Sequence, residues 1–277
     1  MTRILRCGTY TFDLARPLVM GVLNVTPDSF TDGGRFLDRE KALAHARSMR
    51  DDGADLIDVG GESSRPGAKP VDEEVEIDRV IPLIEALARE GITVAVDTRK
   101  PAVMRAAIAA GASMVNDIAA LTAPGAIEAC ASGKTGVCLM HMRGEPATMQ
   151  DAPTYDNVVI EVRDFLVARA RACEAAGIAA ERIAIDPGFG FGKTRAHNLT
   201  LLRALGDFAA TGYPVLVGLS RKKSLGEITG RASDERLAAS LAAALAAVAR
   251  GASIVRVHDV RETVDALKVW RAIERQG

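Results

Sequence analysis

Four polar residues in this sequence could together form a site for a small molecule: Asp97, Asn116, Asp186 and Lys222. Each lies at or just beyond the end of a short apolar run. A carboxylate can accept two parallel N–H bonds, and an amide offers a donor and an acceptor side by side. The set therefore suits a planar heterocycle with an amino group beside a carbonyl, and such a site rejects analogues without those groups. Lys222 could alternatively form a Schiff base, which would require a lowered amine pKa.

Cations and Gly-rich segments follow other apolar runs. Arg256 and His258 end the last run and, being two residues apart, would share one face of a strand. Arg65 lies in the segment GGESSRPG, where a mobile backbone and a cation could close over a phosphate group. The segment NVTPDSFTDGGRF, which begins at Asn24, has a similar composition. Both segments could be ordinary surface turns, but their position after consecutive runs favours a lid over a bound anion.

Other polar residues have simpler explanations. Asp117 follows Asn116 directly, and an aspartate at such a position more often satisfies the N–H groups of a turn. His141 and Arg143 could support the site or be purely structural. His45 and His197 fall within helical segments, where we expect them to be solvated.

Apolar runs and amphipathic segments alternate along the chain, after an N-terminal stretch with hairpin character. The runs are nearly continuously hydrophobic and rich in Val and Ile, as expected of strands that are covered on both faces. Segments such as 38–53 and 235–251 have helical periodicity and end in Gly. We count eight apolar runs, at residues 17–24, 54–61, 92–97, 112–117, 135–141, 182–188, 213–220 and 252–258.

Eight strands with helical crossovers predict an α/β fold, a (β/α)₈ TIM barrel preceded by a short β-hairpin. A doubly wound open sheet would show the same alternation, but it concentrates its site at one crevice. Here nearly every run ends in polar residues, which a closed ring of strands explains better. No linker or repeat divides the sequence, which predicts one domain over residues 1–277.

The composition narrows the class of protein. Hydrophobic residues make up 48% of the chain, enough for a buried core without metal or disulfides. Its 35 basic and 36 acidic residues leave a net charge of −1, so no overall field attracts nucleic acid or an acidic membrane surface. No apolar run reaches the roughly 20 residues that span a bilayer. The cysteines form no C-x-x-C pair, which favours a reducing cytoplasm over a disulfide framework or a zinc site.

Eight motifs in a fixed order carry a resemblance to a known family. They are NVTPDSFTDGG, GGESSRPG, DTRK, ND, LMHMRGEPATMQ, DPGFGFGK, GLSRK and RVHD. Together they extend over nearly the whole chain, and the sequence resembles the dihydropteroate synthases of folate biosynthesis. The resemblance implies an enzyme that joins 6-hydroxymethyl-7,8-dihydropterin diphosphate to p-aminobenzoate and releases diphosphate. It also implies Mg²⁺ as cofactor, a homodimer, and inhibition by sulfonamides.

The resemblance implies a role for each residue at a matching position. Asp186 would accept the amino and ring N–H groups of the pterin, and Asn116 and Lys222 would complete that edge. Asp97 would face the other ring nitrogens and stabilise a cation that forms when the C–O bond breaks early. The implied catalytic residues are Asp32, Arg65, Asp97 and Lys222.

The leaving diphosphate would be held by a second set of residues: Asn24, Arg65, Arg256 and His258. Asn24 would also ligate the Mg²⁺, which neutralises developing charge. When the two Gly-rich segments close, Asp32 would meet Arg65, and Phe30 would help to exclude water from the cation.

The resemblance places the aminobenzoate among Phe30, Ser64, Phe189, Lys222, Lys223 and Ser224. Two of these positions depart from the family pattern. Ser64 stands where many relatives have Thr, and it keeps the hydroxyl. Lys223 stands where the family usually has Ser, with Ser224 one position later. Lys223 could contact the aminobenzoate carboxylate or point to solvent, and the sequence leaves both open.

Two other functions share part of this pattern. A pterin-dependent methyltransferase would use the same aspartate and asparagine contacts, but it has no diphosphate to release and no need for Arg65, Arg256 and His258. A pterin-binding module without catalytic activity is disfavoured because every expected chemical position is filled.

Overall fold

The barrel and its hairpin are seen in a computed structural model that describes residues 4–25, 34–64 and 67–274. A hairpin of β1 (Ile4–Cys7) and β2 (Tyr10–Asp13) comes first. The strands that follow are β3 (Leu18–Asn24), β4 (Leu56–Gly60), β5 (Val94–Asp97), β6 (Met114–Asp117), β7 (Gly136–Met140), β8 (Ile183–Asp186), β9 (Leu216–Val217) and β10 (Ile254–Val257).

In the described ranges these eight strands pair in the order β8-β7-β6-β5-β4-β3-β10-β9, and every pairing is parallel. A parallel bridge between Ile185 in β8 and Val215, just before β9, closes the ring. The predicted (β/α)₈ barrel with an N-terminal hairpin is therefore confirmed.

Helices connect the strands and cover the outside of the barrel. Those in the described residues are α1 (Gly34–Asp51), α2 (Glu73–Arg89), α3 (Pro101–Ala109), α4 (Ala126–Ala131), α5 (Val158–Ala175), α6 (Arg195–Arg203), α7 (Leu205–Ala209), α8 (Lys223–Thr229), α9 (Leu237–Val248) and α10 (Val260–Glu274). Glycines with positive φ follow α1 and α9, at 102° for Gly53 and 100° for Gly251, a conformation that strains other residues. In this part of the chain, no helix is long and apolar enough to cross a membrane.

Alternate residues of each strand face opposite sides of the barrel wall. One buried cluster takes residues from every barrel strand and none from the helices, so it fills the barrel interior: Leu18 and Met20 of β3, Leu56, Ala95, Met114, Cys138, Ala184, Leu216 and Ile254. Neighbouring residues such as Val19, Ile57 and Val115 pack with the helices in a larger outer core. Both faces are buried, which explains why the strands read as continuous apolar runs.

The hairpin closes the amino-terminal end of the barrel. Leu5 and Cys7 of β1 are fully buried and belong to the interior cluster. A Cβ atom added to Gly136, at the start of β7, would lie 2.6 Å from the Cys7 sulfur, so only glycine permits this approach. The amino-terminal end is therefore a packed, apolar core.

Candidate active site

Polar side chains continue the interior faces of the strands at their carboxyl ends. Asp58 comes two residues after Leu56 of the interior cluster, and the same step leads to the other members of a polar layer: Asp97, Asn116, Asp186 and Arg256. Because side chains two residues apart share a face, these groups also point into the barrel. In barrel enzymes this end of the strands holds the active site.

The strand register sets some of these residues side by side. Asp97 of β5 is paired with Asn116 of β6, and Gly60 of β4 lies between Asn24 of β3 and Asp97. A Cβ atom on Gly60 would be 3.4 Å from Asn24 Oδ1 and 3.5 Å from the Asp97 Cβ. The missing side chain leaves room for Asn24 and Asp97 to approach each other.

An ion-pair network joins Arg256 to two carboxylates across the barrel. Arg256 Nε lies 2.5 Å from Asp58 Oδ2, and its Nη2 lies 2.9 Å from Asp97 Oδ2. Asn116 Nδ2 donates to the same Asp58 oxygen at 3.0 Å. That Arg256 holds a leaving group stays a prediction; in this structure its guanidinium lies between two carboxylates of the polar layer.

Asp58 is a member of this network that the sequence interpretation missed. It is fully buried, and among the described residues its Oδ1 has no hydrogen-bond partner. A carboxylate inside the apolar run LIDVG is the signal that could have identified it, since burying an ionised group needs a specific partner.

Desolvation shifts the pKa of the groups in the polar layer. Burial raises the pKa of Asp97 to about 7, although Arg256 acts in the opposite direction. Burial raises the pKa of Asp186 to about 6, opposed by its hydrogen bond from Gly188 and by Lys222. Desolvation lowers the pKa of Lys222 to about 8. The ion pair between Asp97 and Arg256 favours the ionised carboxylate, so we assign a charged Asp97 at neutral pH.

Asp186 and Lys222 are held in place by the segment that follows β8. The Gly188 N–H donates to Asp186 Oδ1 at 2.7 Å. Lys222 Nζ lies 4.2 Å from the centroid of the Phe191 ring, within the range of a cation–π contact.

The neighbouring ring, Phe189, is only 2% exposed and packs in the outer core. This corrects the predicted position of Phe189 in the wall of a pocket, because Phe191 is the aromatic residue beside Lys222. The two rings are two residues apart in a Gly-rich segment, and no local sequence pattern predicts which of them lies beside Lys222.

Ser220 positions His258 at the rim of the site. Ser220 Oγ lies 3.0 Å from His258 Nδ1 and also accepts the His258 backbone N–H at 3.2 Å.

Lys223 lies two residues after Arg221, whose backbone has a positive φ of 58°. The Lys223 side chain is 90% exposed. Its Nζ is 3.9 Å from Glu227 Oε1, so Lys223 points to solvent in this structure. Ser224 is half-buried in the first turn of α8.

The segment after β4 is anchored by charges at its base. Lys100 Nζ lies 2.7 Å from Glu62 Oε2 and 2.5 Å from Glu76 Oε2. Arg99 bridges Glu62 to Glu145, in the segment after β7, at 3.3 and 2.7 Å. Ser64 is half-buried just beyond this anchor. The predicted site residues Phe30, Asp32 and Arg65 lie outside the described residues.

The residues with simpler explanations are mostly as expected. Asp117 faces the outer core and accepts the N–H groups of Ala119 and Leu121 at 2.7 Å each, which confirms its role in a turn. His45 is exposed on α1. His197 differs from the prediction, since it is half-buried and forms a capping box with Thr194 at the start of α6.

His141 has a structural environment. Its ring lies edge-on to Phe165, with 5.1 Å between centroids, and its Nδ1 lies 3.0 Å from the Nζ of buried Lys193. Burial lowers the pKa of His141 to about 3, so the ring is neutral.

Asn24, which the resemblance implies as the Mg²⁺ ligand, offers one hard oxygen donor to a metal ion. Asn24 ends β3 at the carboxyl end of the barrel. No group of three or more His, Cys, Asp or Glu side chains in the described ranges could hold a metal ion by itself. Phosphate oxygens of a bound substrate are further ligands that Mg²⁺ commonly takes.

Comparisons with known proteins show the family to which the chain is similar. The family of the pterin binding enzymes matches residues 20–258. The dihydropteroate synthase of Escherichia coli K12 is 51% identical over 263 residues, which cover 95% of this chain and 93% of that protein.

Two solved structures have nearly the same fold. The dihydropteroate synthase of Xanthomonas albilineans with 4-aminobenzoic acid has a TM-score of 0.94 and 53% identity, with 100% of both chains covered. The Yersinia pestis dihydropteroate synthase in a sulfonamide drug complex has a TM-score of 0.93 and 47% identity, covering 98% of this chain and 99% of that chain.

Proposed function

The chain belongs to the pterin-binding enzyme family as a dihydropteroate synthase, and from this premise we propose how its residues carry out the reaction. The enzyme joins 6-hydroxymethyl-7,8-dihydropterin diphosphate to p-aminobenzoate and releases diphosphate, in folate biosynthesis. The observation that best supports this function is the polar layer inside the carboxyl end of the barrel, where Asp97, Asn116 and Asp186 lie together with Lys222 nearby.

Recognition of the pterin depends on Asp186 and Asn116. Asp186 is fixed through Oδ1 by the Gly188 N–H, and its Oδ2 with the second lone pair of Oδ1 can accept the amino and ring N–H groups of the pterin. Asn116 is fixed through its amide nitrogen by Asp58, which leaves its oxygen as an acceptor for the same ring system. Lys222 donates to the carbonyl side of that edge. A ligand without these groups would leave buried polar atoms unpaired.

The chemical step separates charge, and the carboxylates stabilise it. The C–O bond to diphosphate breaks, and its electron pair leaves with the diphosphate. The positive charge that remains spreads into the pterin ring, next to Asp97. The amine nitrogen of p-aminobenzoate then bonds to the same methylene carbon and loses one proton. Asp58 assists by holding Arg256, whose guanidinium also fixes Asp97.

The leaving diphosphate is held at the rim of the barrel by Arg256, His258, Arg65 and Asn24. His258 is oriented by Ser220, and Asn24 lies beside Asp97 across Gly60. Arg65 follows in sequence the part of this segment that Glu62 anchors, and we propose that it closes over the diphosphate with Asp32 and Phe30. Water is then excluded from the reactive cation.

Mg²⁺ fits this site as an ion that binds chiefly through the substrate. The Asn24 amide oxygen is the kind of donor that Mg²⁺ accepts, and diphosphate oxygens would supply further ligands. When bound, Mg²⁺ neutralises charge on the leaving diphosphate. The described side chains bind and orient the substrates.

The aminobenzoate lies on the other side of Lys222 from the pterin. Phe191 covers the Lys222 ammonium and would wall the aromatic ring, and we propose that Ser64 and Ser224 contact the same substrate. Lys223 is directed to solvent before the substrate binds. Sulfonamides resemble p-aminobenzoate in shape, so we propose that they compete for this position, in line with the Yersinia pestis complex.

We also propose a homodimer in the cytoplasm. Apolar side chains are exposed on α8 and α10, with Ile228 54%, Val269 62% and Ile273 67% exposed, and a second copy could cover them. The four cysteines are all buried thiols, as suits a reducing compartment. Light scattering on a size-exclusion column tests the dimer: a monomer mass would contradict it.

The deciding experiment for the function is an assay of the purified enzyme with the pterin diphosphate and p-aminobenzoate, with and without Mg²⁺. We expect equal amounts of dihydropteroate and diphosphate. Absence of product under these conditions would refute the function. Methyl transfer from methyltetrahydrofolate, measured in parallel, would support the methyltransferase alternative instead.

A further inference from the structure

Lys193 is a buried cation that the reaction described above does not use. It is 2% exposed and follows β8 by seven residues. Its Nζ lies 3.0 Å from His141 Nδ1, 3.2 Å from the His141 carbonyl oxygen and 3.0 Å from the Phe191 carbonyl oxygen. An ammonium has three N–H donors, and each of these neighbours can accept one. Burial lowers the pKa of Lys193 to about 7, so it is the ammonium present below neutral pH that joins the segment after β7 to the segment after β8.

The two segments approach so closely that only glycine fits between them. A Cβ atom on Gly188 would overlap the carbonyl of His141, and one on Gly192 would overlap the carbonyl of Arg143. Both glycines have positive φ, 69° and 62°. Tyr155 adds a second tether, since its hydroxyl donates to the Gly192 carbonyl at 2.8 Å. The two segments touch backbone to backbone, so a small displacement of one segment would also displace the other.

Both ends of this junction reach the active site. The His141 N–H donates to the Asp186 backbone carbonyl at 3.0 Å. On the other side, Lys193 holds the Phe191 carbonyl, and the Phe191 ring covers Lys222. Lys193 thus acts on Asp186 through His141 and on Lys222 through Phe191.

We infer that Lys193 is a positioning residue for the condensation, whose buried ammonium fixes Asp186 and Phe191 against their substrates and supplies positive charge beside Asp186. The inference rests on the proposed function. It predicts two separable effects of losing Lys193, one on geometry and one on charge.

The charge effect concerns the protonation of Asp186. The groups that act on its carboxyl are Lys193, Lys222 and Arg256, with the Cys138 thiol nearby in the barrel interior. Burial raises the pKa of Asp186 to about 6, and all three cations oppose that rise. Loss of Lys193 should raise this pKa further. Because the pterin N–H groups need an ionised Asp186, activity would then begin to fall at a higher pH.

The test is Lys193→Met, which keeps the length of the side chain and removes the charge and the donors. We expect KM for p-aminobenzoate to rise roughly tenfold, because Phe191 loses its anchor. We also expect the acid limb of the pH profile of kcat/KM to move up by about half a pH unit or more. Lys268→Met, at a lysine that is 71% exposed on α10, is the matched control and should change neither quantity.

Tyr155→Phe separates the two effects. It removes another tether of the segment without changing charge, so it should raise KM for p-aminobenzoate and leave the acid limb in place. An acid limb that does not move in Lys193→Met would overturn the inference, since a merely structural lysine would give that result. If Lys193→Met does not fold, Lys193→Gln, which keeps a donor and removes the charge, takes its place, and an acid limb that does not move in that variant would overturn the inference. A wild-type enzyme without dihydropteroate product would instead refute the proposed function.

Discussion

The two ends of the barrel interior are built by the same strands but have opposite chemistry. At the amino-terminal end, Leu5, Leu56 and Met114 belong to an apolar cluster that the hairpin closes. Two residues further along the strands, the interior is lined by carboxylates, an amide and a guanidinium. Strand geometry is the same at both ends, so the side chains alone make one end a core and the other a binding site.

This difference separates the residues that stabilise the fold from those that we propose to perform the reaction. Burying apolar surface at the closed end favours folding. Burying Asp58, Asp97 and Asp186 at the open end opposes folding unless each charge finds a partner. The Arg256 network offsets part of that cost, and the substrates would satisfy the remaining polar groups. Substitutions at the two ends should therefore affect stability and activity in opposite ways.

The largest effect is expected at the closed end, from Leu5→Ala. Leu5 of β1 is fully buried in the interior cluster, so the cavity should lower the free energy of unfolding by about 2–5 kcal/mol. Urea unfolding measures this loss, and kcat/KM at a temperature where the variant is folded should stay close to wild type. Val75→Ala, at a position that is 39% exposed, should cost less than about 0.5 kcal/mol. A loss of activity in folded Leu5→Ala would mean that the two ends are not independent.

The opposite result is expected at the open end, from Asp186→Asn. The amide presents a donor where the pterin needs an acceptor, so kcat/KM should fall by about a hundredfold or more, on the order of 2.7 kcal/mol. The melting temperature should stay the same or rise, because a buried charge is removed. Asp164→Asn, whose side chain is 60% exposed on α5, should alter neither property. A destabilised variant that keeps its activity would contradict the assignment of Asp186.

The pH dependence should also separate stability from activity. The pKa of Asp186 is about 6 in the folded enzyme and lower in the unfolded chain, so the folded state binds this proton more tightly. Its contribution to stability is then complete below about pH 4 and is lost as the pH rises through 6, by roughly 2–3 kcal/mol. Activity changes in the opposite direction, since it needs the ionised form. Unfolding free energies of wild type and Asp186→Asn should diverge between pH 4 and 6, and a constant difference would refute this.

The smallest effect is expected from Lys223→Ser, which restores the residue usual in the family. Its side chain is 90% exposed, and its Nζ is 3.9 Å from Glu227. Exposed pairs of this kind contribute little, so KM for p-aminobenzoate should change by less than about twofold. A large rise in KM would show that Lys223 turns inward to the substrate carboxylate.

Much of the fold could be predicted from local patterns. Every predicted strand is present because an apolar run of four to eight residues, buried on both faces, is the local signature of a parallel strand. Different roles could be predicted for Asp117 and Asn116, because an aspartate at the end of a strand commonly caps a turn. Neighbours in a strand also face opposite sides of the sheet.

The parts of the site that could not be predicted depend on contacts between distant segments. Asp58 pairs with Arg256 only because the ring of strands closes and brings both to the interior. Phe189 and Phe191 have the same local sequence environment, and their roles differ because one ring meets the outer core and the other meets Lys222. The acceptors of Lys193 likewise come from two loops that meet in space.

The sequence by itself determined the strands, the helices, the family and most residues of the polar layer, because these depend on short-range periodicity and on side-chain type. The tertiary structure decided which of those polar groups neutralise one another, which ring covers Lys222, and that a buried lysine joins two loops behind the site. Charge pairing and desolvation depend on distances across the closed barrel, and no local pattern in the chain specifies those distances.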